Sequence, residues 1–288
     1  MAKDYESSNL KERKNMRIGI FDSGMGGLSV LHEAISKLPD QEYYFYADTK
    51  HVPYGLKSEE EIKGYVDEIV RFLLDKKVDA IVIACNTATS VAVADMRKKY
   101  DLPILGMEPA VKPAVEAAKG DERILVMATP VTLREEKLAK LLSRVDVKHR
   151  VDLLDMPKLV SFAEAENFDS DEVRDYLKER FGRFDTTKYS ALVLGCTHFN
   201  YFKPLYKEYL GENISLMDGN QGTIRHLADV LGLEIKSDTK LQLKFNQPQD
   251  VVVEGRITYY DSGDEITDNE RLSKYMRMLN RLEFVRNI

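Results

Sequence analysis

Apolar residues along this chain follow two alternating rhythms. Short runs of branched and aromatic residues lie at 18–21, 43–46, 79–84, 102–105, 124–127, 151–154 and 190–194. Between them the spacing lengthens to three or four: Leu28, Leu31 and Ile35; Ile62, Val66, Ile69, Val70 and Leu73; Leu138, Leu141 and Leu142; Val173, Tyr176, Leu177 and Phe181. A short continuous apolar run reads as a buried strand, and the longer spacing as a helix with one buried face. Strands and helices that alternate this way predict a parallel sheet. Ser58 with Glu61, and Thr132 with Glu135, match the capping-box pattern at helix starts. The glutamates at 59–61 then have a structural task, complementing the helix dipole.

Two of the runs end alike. The run at 190–194 leads through Gly195 to Cys196, Thr197 and His198, and the run at 79–83 leads through Ala84 to Cys85, Asn86 and Thr87. These are the only two cysteines in 288 residues. The strands at 18–21 and 124–127 each end near a hydroxyl residue, Ser23 and Thr129, at a comparable distance before each thiol. We read a diverged duplication, in which strand-end loops of two halves converge where open α/β sheets bind ligands. The expected fold is α/β, with two pseudo-duplicated lobes, each a mostly parallel sheet flanked by helices, and the active site in the cleft between them. The expected division is a disordered arm at 1–15, a first lobe at 16–112 plus 225–288, and a second lobe at 113–224. A helix from Asn86 to about Lys99 would bring its first amides close to Cys85, an environment that lowers a thiol's pKa. The turn Asp22-Ser23-Gly24-Met25-Gly26-Gly27 can face amides toward an anion, or serve only to turn strand into helix. The loop 47–55 is too rich in aromatic and polar groups to be a mere connector.

Beyond 217–219 the pattern changes. A helix near 223–231 is followed by alternating runs at 241–245 and 251–260, assigned to oligomer contacts, and by a last helix from Thr267 that packs on the first lobe. A homodimer is expected. With 43% apolar residues the chain can fill two real cores. Its 48 acidic and 42 basic residues leave a net charge of −6 without a basic stripe, so no nucleic-acid partner is expected. The charged opening segment is no signal peptide and no run reaches membrane-spanning length, so the expected location is cytoplasmic and the thiols are expected to be free.

Two thiols at one cleft admit several chemistries. Cys85, Cys196 and His198 with Asp22 could ligate a metal, yet the local cysteine or histidine pairs of zinc sites are absent, so no metal is expected. A single nucleophile, as in a cysteine amidase or hydrolase, would leave the second thiol idle. Both thiols are used if they work on opposite faces of one carbon, one removing a proton and the other delivering one. That is a two-base racemase, and it needs no cofactor. The carbon acid beside a carboxylate is weak, so donors such as Ser23, Asn86, Thr87, Thr129 and Thr197 must meet the growing negative charge.

The blocks Asp22-Ser23-Gly24-Met25-Gly26-Gly27, Pro53-Tyr54-Gly55, Cys85-Asn86-Thr87-Ala88-Thr89 and Leu194-Gly195-Cys196-Thr197-His198 resemble those of the glutamate racemases, within the aspartate/glutamate racemase superfamily. The resemblance runs from Ile18 to about Gly263. It implies a cofactor-independent isomerase that interconverts L- and D-glutamate and supplies the D-isomer for peptidoglycan. It implies that Cys85 and Cys196 are the two bases, for D- and L-glutamate respectively, and that Asp22, Glu164 and His198 assist proton transfer. It places the substrate on Asp22, Ser23, Tyr54, Gly55, Asn86, Thr87, Thr197 and His198. Ala128, Glu135, Leu138 and Asn200 depart from the residues usual there, namely Gly, Ser, Tyr and Pro. A racemase for aspartate or a related acidic amino acid remains the alternative within the same chemistry.

Overall fold

The computed structural model describes residues 15–237 and 256–288. The chain first lays down β1 (Arg17–Asp22), α1 (Leu28–Lys37), β2 (Glu42–Ala47), α2 (Glu59–Asp75), β3 (Ala80–Ile83), α3 (Asn86–Lys99) and β4 (Ile104–Gly106). The plan then repeats with α4 (Val111–Ala117), β5 (Arg123–Ala128), α5 (Pro130–Arg134), α6 (Glu136–Val145), β6 (Val151–Asp155), α7 (Pro157–Glu164), α8 (Asp171–Phe181), β7 (Tyr189–Leu194), α9 (Lys203–Leu210), β8 (Ser215–Met217) and α10 (Asn220–Leu231). It finishes with β9 (Ile257–Asp261), β10 (Asp264–Glu265) and α11 (Asn269–Val285).

The duplication read from the sequence is a duplication of topology. One sheet has the order β10-β9-β2-β1-β3-β4 and the other β6-β5-β7-β8. Without the two late strands, each sheet runs second, first, third, fourth in its own order. All pairings are parallel except β9 with β10. In this order the first and third strands are central and covered on both faces, which is why all four residues of β3 are buried and β1 carries five buried residues in a row. Their carboxyl ends define the crevice at which the strand order reverses.

A continuous apolar cluster joins the two sheets: it includes Ile18 and Ile20 from the first, Leu28 and Leu31 from α1, and Leu125, Met127, Leu192 and Leu194 from the second, with Phe199, Phe202 and α11. A second cluster lies between β1, β3 and the helices α2 and α3, and a third between β5, β7 and the helices α4 and α6. The stripe on α2 is buried as expected, and the helix opens with a complete capping box. There the Ser58 Oγ accepts the Glu61 N–H at 3.3 Å and the Glu61 carboxylate accepts the Ser58 N–H at 2.9 Å.

Two expectations need correction or reassignment. Thr132 and Glu135 form no capping box: Thr129 caps α5, with Pro130 in its first turn, and Thr132 is buried inside that helix. Glu135 instead stands before α6 without a side-chain cap bond. The described part of the run at 251–260 forms β9, parallel to β2 in the register Tyr43↔Ile257 to Ala47↔Asp261, so it extends this chain's own sheet. Tyr259 packs edge-on against Phe45 and Tyr275. All of the arm at 1–15 but its last residue, and the run at 241–245, lie outside the described residues. Helix α11 packs on α1, burying Met276, Leu279 and Leu282, with Leu272 partly buried against the same core.

Because both bonds of the capping box end on exposed residues away from the crevice, Ser58→Ala should lower stability by about 1 kcal/mol and leave activity unchanged. The urea midpoint and initial rates measure the two halves of that statement.

Candidate active site

The crevice is assembled from the ends of four central strands. β1 delivers Asp22 and Ser23, β3 delivers Cys85 just before α3, β5 delivers Thr129, and β7 leads through Gly195 to Cys196. Both cysteines are free and buried. A 3₁₀ helix, Thr197–Phe202, follows Cys196. Its tight turn brings His198 back toward the thiol two residues earlier, which a continued strand would forbid.

Each thiol heads its own relay. Cys85 Sγ donates to Ser23 Oγ at 3.7 Å, and Ser23 Oγ donates to Asp22 Oδ1 at 3.1 Å. On the other side Cys196 Sγ lies 3.8 Å from His198 Nδ1, and His198 Nε2 lies 2.6 Å from Glu164 Oε1. Glu164 Oε1 also accepts the Met25 N–H at 2.6 Å. The Gly26 N–H points at the same His198 Nε2 from 3.2 Å. One ring nitrogen cannot donate to a carboxylate and accept from an amide together, and the shorter, charge-assisted contact with Glu164 takes precedence. The relays are tied by Thr197, whose Oγ1 donates to Asp22 Oδ2 at 2.7 Å.

Electrostatics divide these groups. Burial pushes the Cys85 thiol up, the neighbouring Asp22 carboxylate adds to the rise, and the Ala88 N–H on Sγ at 3.4 Å only partly offsets it. This corrects the expectation of a lowered thiol: the helix amide is present, but desolvation and a nearby negative charge outweigh it. Burial likewise raises the Asp22 carboxyl above 3.8 against the opposing pull of His198, Thr197 and Ser23. For His198 burial works against the charged ring, yet Cys196 and Glu164 outweigh it and hold the imidazolium well above 6.5. Burial would raise Glu164, but His198 and the Met25 N–H bring it below 4.5. By linkage, the raised imidazole contributes stability that is complete below 6.5 and lost as pH climbs through its folded value. The lowered carboxyl contributes stability present above 4.5 and lost as pH falls through its folded value. The pair is therefore intact from the ordinary carboxylate range to beyond the ordinary imidazole range.

The remaining expected substrate residues are Thr87, Asn86, Tyr54 and Gly55. Thr87 Oγ1 joins a triangle of hydroxyls with Thr129 at 3.0 Å and Thr132 at 3.2 Å, and the latter two are 3.0 Å apart. Asn86 has its Oδ1 buried without a partner and borders a cavity of about 500 Å³ that Thr132 also lines. Tyr54 is buried, and its hydroxyl donates to Asp48 Oδ2 at 2.6 Å. Gly55 packs so tightly on the other lobe that a Cβ there would stand 2.8 Å from the Thr129 Cβ. Thr132, read from the sequence only as a helix cap, and Asp48 were not singled out as site residues. Thr132 carried a signal in its three-residue spacing from Thr129, and Asp48 in standing just past the end of β2. Asn200, a departure from the family pattern, braces the site by donating to the Thr197 carbonyl at 3.2 Å. Among the described residues no group of three or more His, Cys, Asp or Glu side chains is disposed to hold a metal ion.

Two outcomes follow from this geometry. In a Glu164→Gln variant the His198 titration, followed by NMR of its ring protons, should move down toward the ordinary imidazole value; an unmoved titration would remove Glu164 as its cause. A Cβ on Gly26 would stand 2.4 Å from His198 Nδ1 and 2.5 Å from Thr197 Oγ1. Gly26→Ala should therefore displace the His198 relay and cut turnover on the order of 100-fold, with the circular dichroism of the fold preserved.

Comparison with known proteins agrees with the geometry. The model of the Asp/Glu/Hydantoin racemase family matches residues 23–227. A glutamate racemase of Campylobacter curvus is 51% identical over 93% of this chain and 97% of its own length. Glutamate racemase 2 of Bacillus subtilis is 43% identical over 93% and 97%. Among solved structures, glutamate racemase from Campylobacter jejuni has a TM-score of 0.72 at 29% identity, covering 92% of this chain and 98% of that one. Escherichia coli glutamate racemase, solved with L-glutamate and the activator UDP-MurNAc-ala, has a TM-score of 0.71 at 31% identity, covering 78% and 85%. With its duplicated sheets and paired strand-end thiols, this chain belongs to the Asp/Glu/Hydantoin racemase family.

Proposed function

We propose that this protein interconverts L- and D-glutamate without a cofactor, by proton transfer between Cα and two opposed thiols, and so supplies D-glutamate for peptidoglycan. The observation that carries this reading is the pairing of Cys85 and Cys196 at equivalent strand ends of two topologically identical sheets, each with its own relay to a carboxylate. One cysteine, as thiolate, takes the Cα proton while the other, as thiol, protonates the opposite face; the reverse reaction exchanges their roles. Cys85 acts on D-glutamate with Ser23 and Asp22 behind it, and Cys196 on L-glutamate with His198 and Glu164 behind it. In the resulting carbanion, charge collects on the α-carboxylate. Ser23, Asn86, Thr87 and Thr197, with Thr129 and Thr132, supply the donors, and the hydroxyls of the threonine triangle can turn their protons from one another to an arriving carboxylate. Tyr54 and Gly55 form the wall on the first lobe.

The lobes we assign as 16–112 with 225–288, and 113–224. Among the described residues no helix is long and apolar enough to cross a membrane, and a cytoplasmic homodimer is the setting we propose. A cysteine amidase is the rival reading from another reaction class, and an aspartate racemase the rival substrate. Incubation with L-glutamate alone in heavy water separates them: this reading requires D-glutamate carrying deuterium at Cα, and saturable binding without exchange would sink it.

A racemase has an equilibrium constant of one, so kcat/KM must fall equally in both directions for any variant. Racemisation rates alone therefore cannot say which thiol serves which enantiomer. A substrate analogue with a leaving group on Cβ can, because elimination needs only the abstracting base. Cys85→Ser and Cys196→Ser should each lose racemisation by several powers of ten, about 1.4 kcal/mol of barrier for each power, yet each should still process one enantiomer of the analogue. Equal failure on both enantiomers would replace the two-base assignment with a single nucleophile.

A further inference from the structure

The loop that carries Tyr54 and Gly55 begins at Asp48, directly after β2, and it is fastened by residues more than two hundred positions away. Strand β9 lies beside β2 with Asp261 opposite Ala47, so the β9–β10 turn stands next to the start of the loop. Ser262 and Gly263 have φ of 48° and 99°, which fold the chain back at once. The Ser262 N–H then donates to the Ala47 carbonyl at 2.8 Å. Ser262 Oγ accepts the Lys50 N–H at 3.0 Å, and its own proton is within reach of Asp48 Oδ1 at 3.4 Å and Asp261 Oδ1 at 3.3 Å. Thr49 Oγ1 donates to Asp261 Oδ1. Asp48, almost wholly buried, collects the Tyr54 hydroxyl at 2.6 Å and His51 Nδ1 at 2.8 Å, and the His51 ring stacks on Tyr65 at 3.9 Å. At its far end the loop presses Gly55 against Thr129 of the second sheet.

This is a continuous polar path from the turn, through Asp48 and Tyr54, to the wall of the crevice. The turn lies outside the stretch matched by the family model, which ends at 227. We propose that Ser262 and Asp261 are positioning residues for substrate binding: the β9–β10 turn clasps the loop 48–55 and sets where Tyr54 and Gly55 stand. The inference rests on the reading of the site as a glutamate racemase. Neither residue touches the reacting atoms. The clasp therefore governs how well the crevice receives the substrate, and not the acidity of either thiol.

Ser262→Gly is the cleanest deletion, since glycine takes this positive φ without strain whereas alanine does not. Loss of the hydrogen bonds made by the Ser262 hydroxyl should raise KM roughly three- to tenfold for both enantiomers and leave kcat within about twofold. Ser262→Asn, which tolerates the same backbone and keeps a donor and an acceptor, should restore KM toward the wild-type value. Tyr54→Phe removes the hydroxyl at the other end of the path. Because the two substitutions act along one route, their effects on KM in the double variant should not multiply. The inference is overturned if Ser262→Gly leaves KM unchanged, if it lowers kcat in place of raising KM, if Ser262→Asn behaves like Ser262→Gly, or if the double variant shows the full product. Absence of Cα deuterium exchange in the wild-type protein would instead remove the racemase reading itself, so the two failures are separately visible.

Discussion

A buried carboxylate on β1 sets the terms for everything around the crevice. Asp22 has no solvent exposure, and its hydrogen bonds come from two hydroxyls, Ser23 beside it and Thr197 from the other sheet. Taking a carboxylate out of water is costly unless donors replace the water. Here one of the two donors exists only when the lobes are docked. The same 3₁₀ turn that brings Thr197 also brings His198, which meets Glu164, whose carboxylate returns to the Met25 N–H in the turn following Asp22. The polar groups thus close into a ring through both lobes. Glycine at 24, 26 and 27 is what lets the ring close, since a Cβ at any of these would stand within 2.5 Å of Glu164, His198 or Asp22 respectively.

The two halves share a topology without sharing a relay. Cys85 is backed by a serine hydroxyl and then a carboxyl held above its usual range, and Cys196 by an imidazolium and then a carboxylate held below its usual range. A reaction that runs equally in both directions does not need mirror-image machinery. Thermodynamics constrains only the product of the steps, so each thiol can be tuned by different neighbours. Equivalent strand ends of the two sheets hold the thiols, and different neighbours supply their partners.

The central strands were readable because a parallel strand buried on both faces shows as an unbroken apolar run, as at 80–83 and 190–194. Helix α7 was not, being short and started by Pro157, with its buried Leu159, Val160 and Phe162 too few to show a period. The pattern Thr132 to Glu135 fits a capping box as well as Ser58 to Glu61 does. What defeats it is Thr129 with Pro130, which starts a helix three residues earlier. The two thiols and the blocks around them were legible, because residue type at a strand end is a local property. The thiol acidity was not, because a helix amide can be inferred from neighbouring sequence while desolvation and the Asp22 charge depend on what packs from elsewhere. Asp48 went unnoticed for the same reason, since its partner Ser262, from far along the chain, becomes a neighbour only through the pairing of β9 with β2.

That pairing also orders events in time. The second sheet is complete once residue 217 has been made, whereas the first sheet receives β9 and β10, and α1 receives its covering helix α11, only from the final part of the chain. During synthesis from the amino end, the later-encoded lobe can close before the earlier one. Until then the edge of β2 has unpaired backbone groups open to other strands. The strands and helix that seal the first lobe thus come after both thiols along the chain, and a chain cut before Ile257 would expose a sheet edge while holding both thiols.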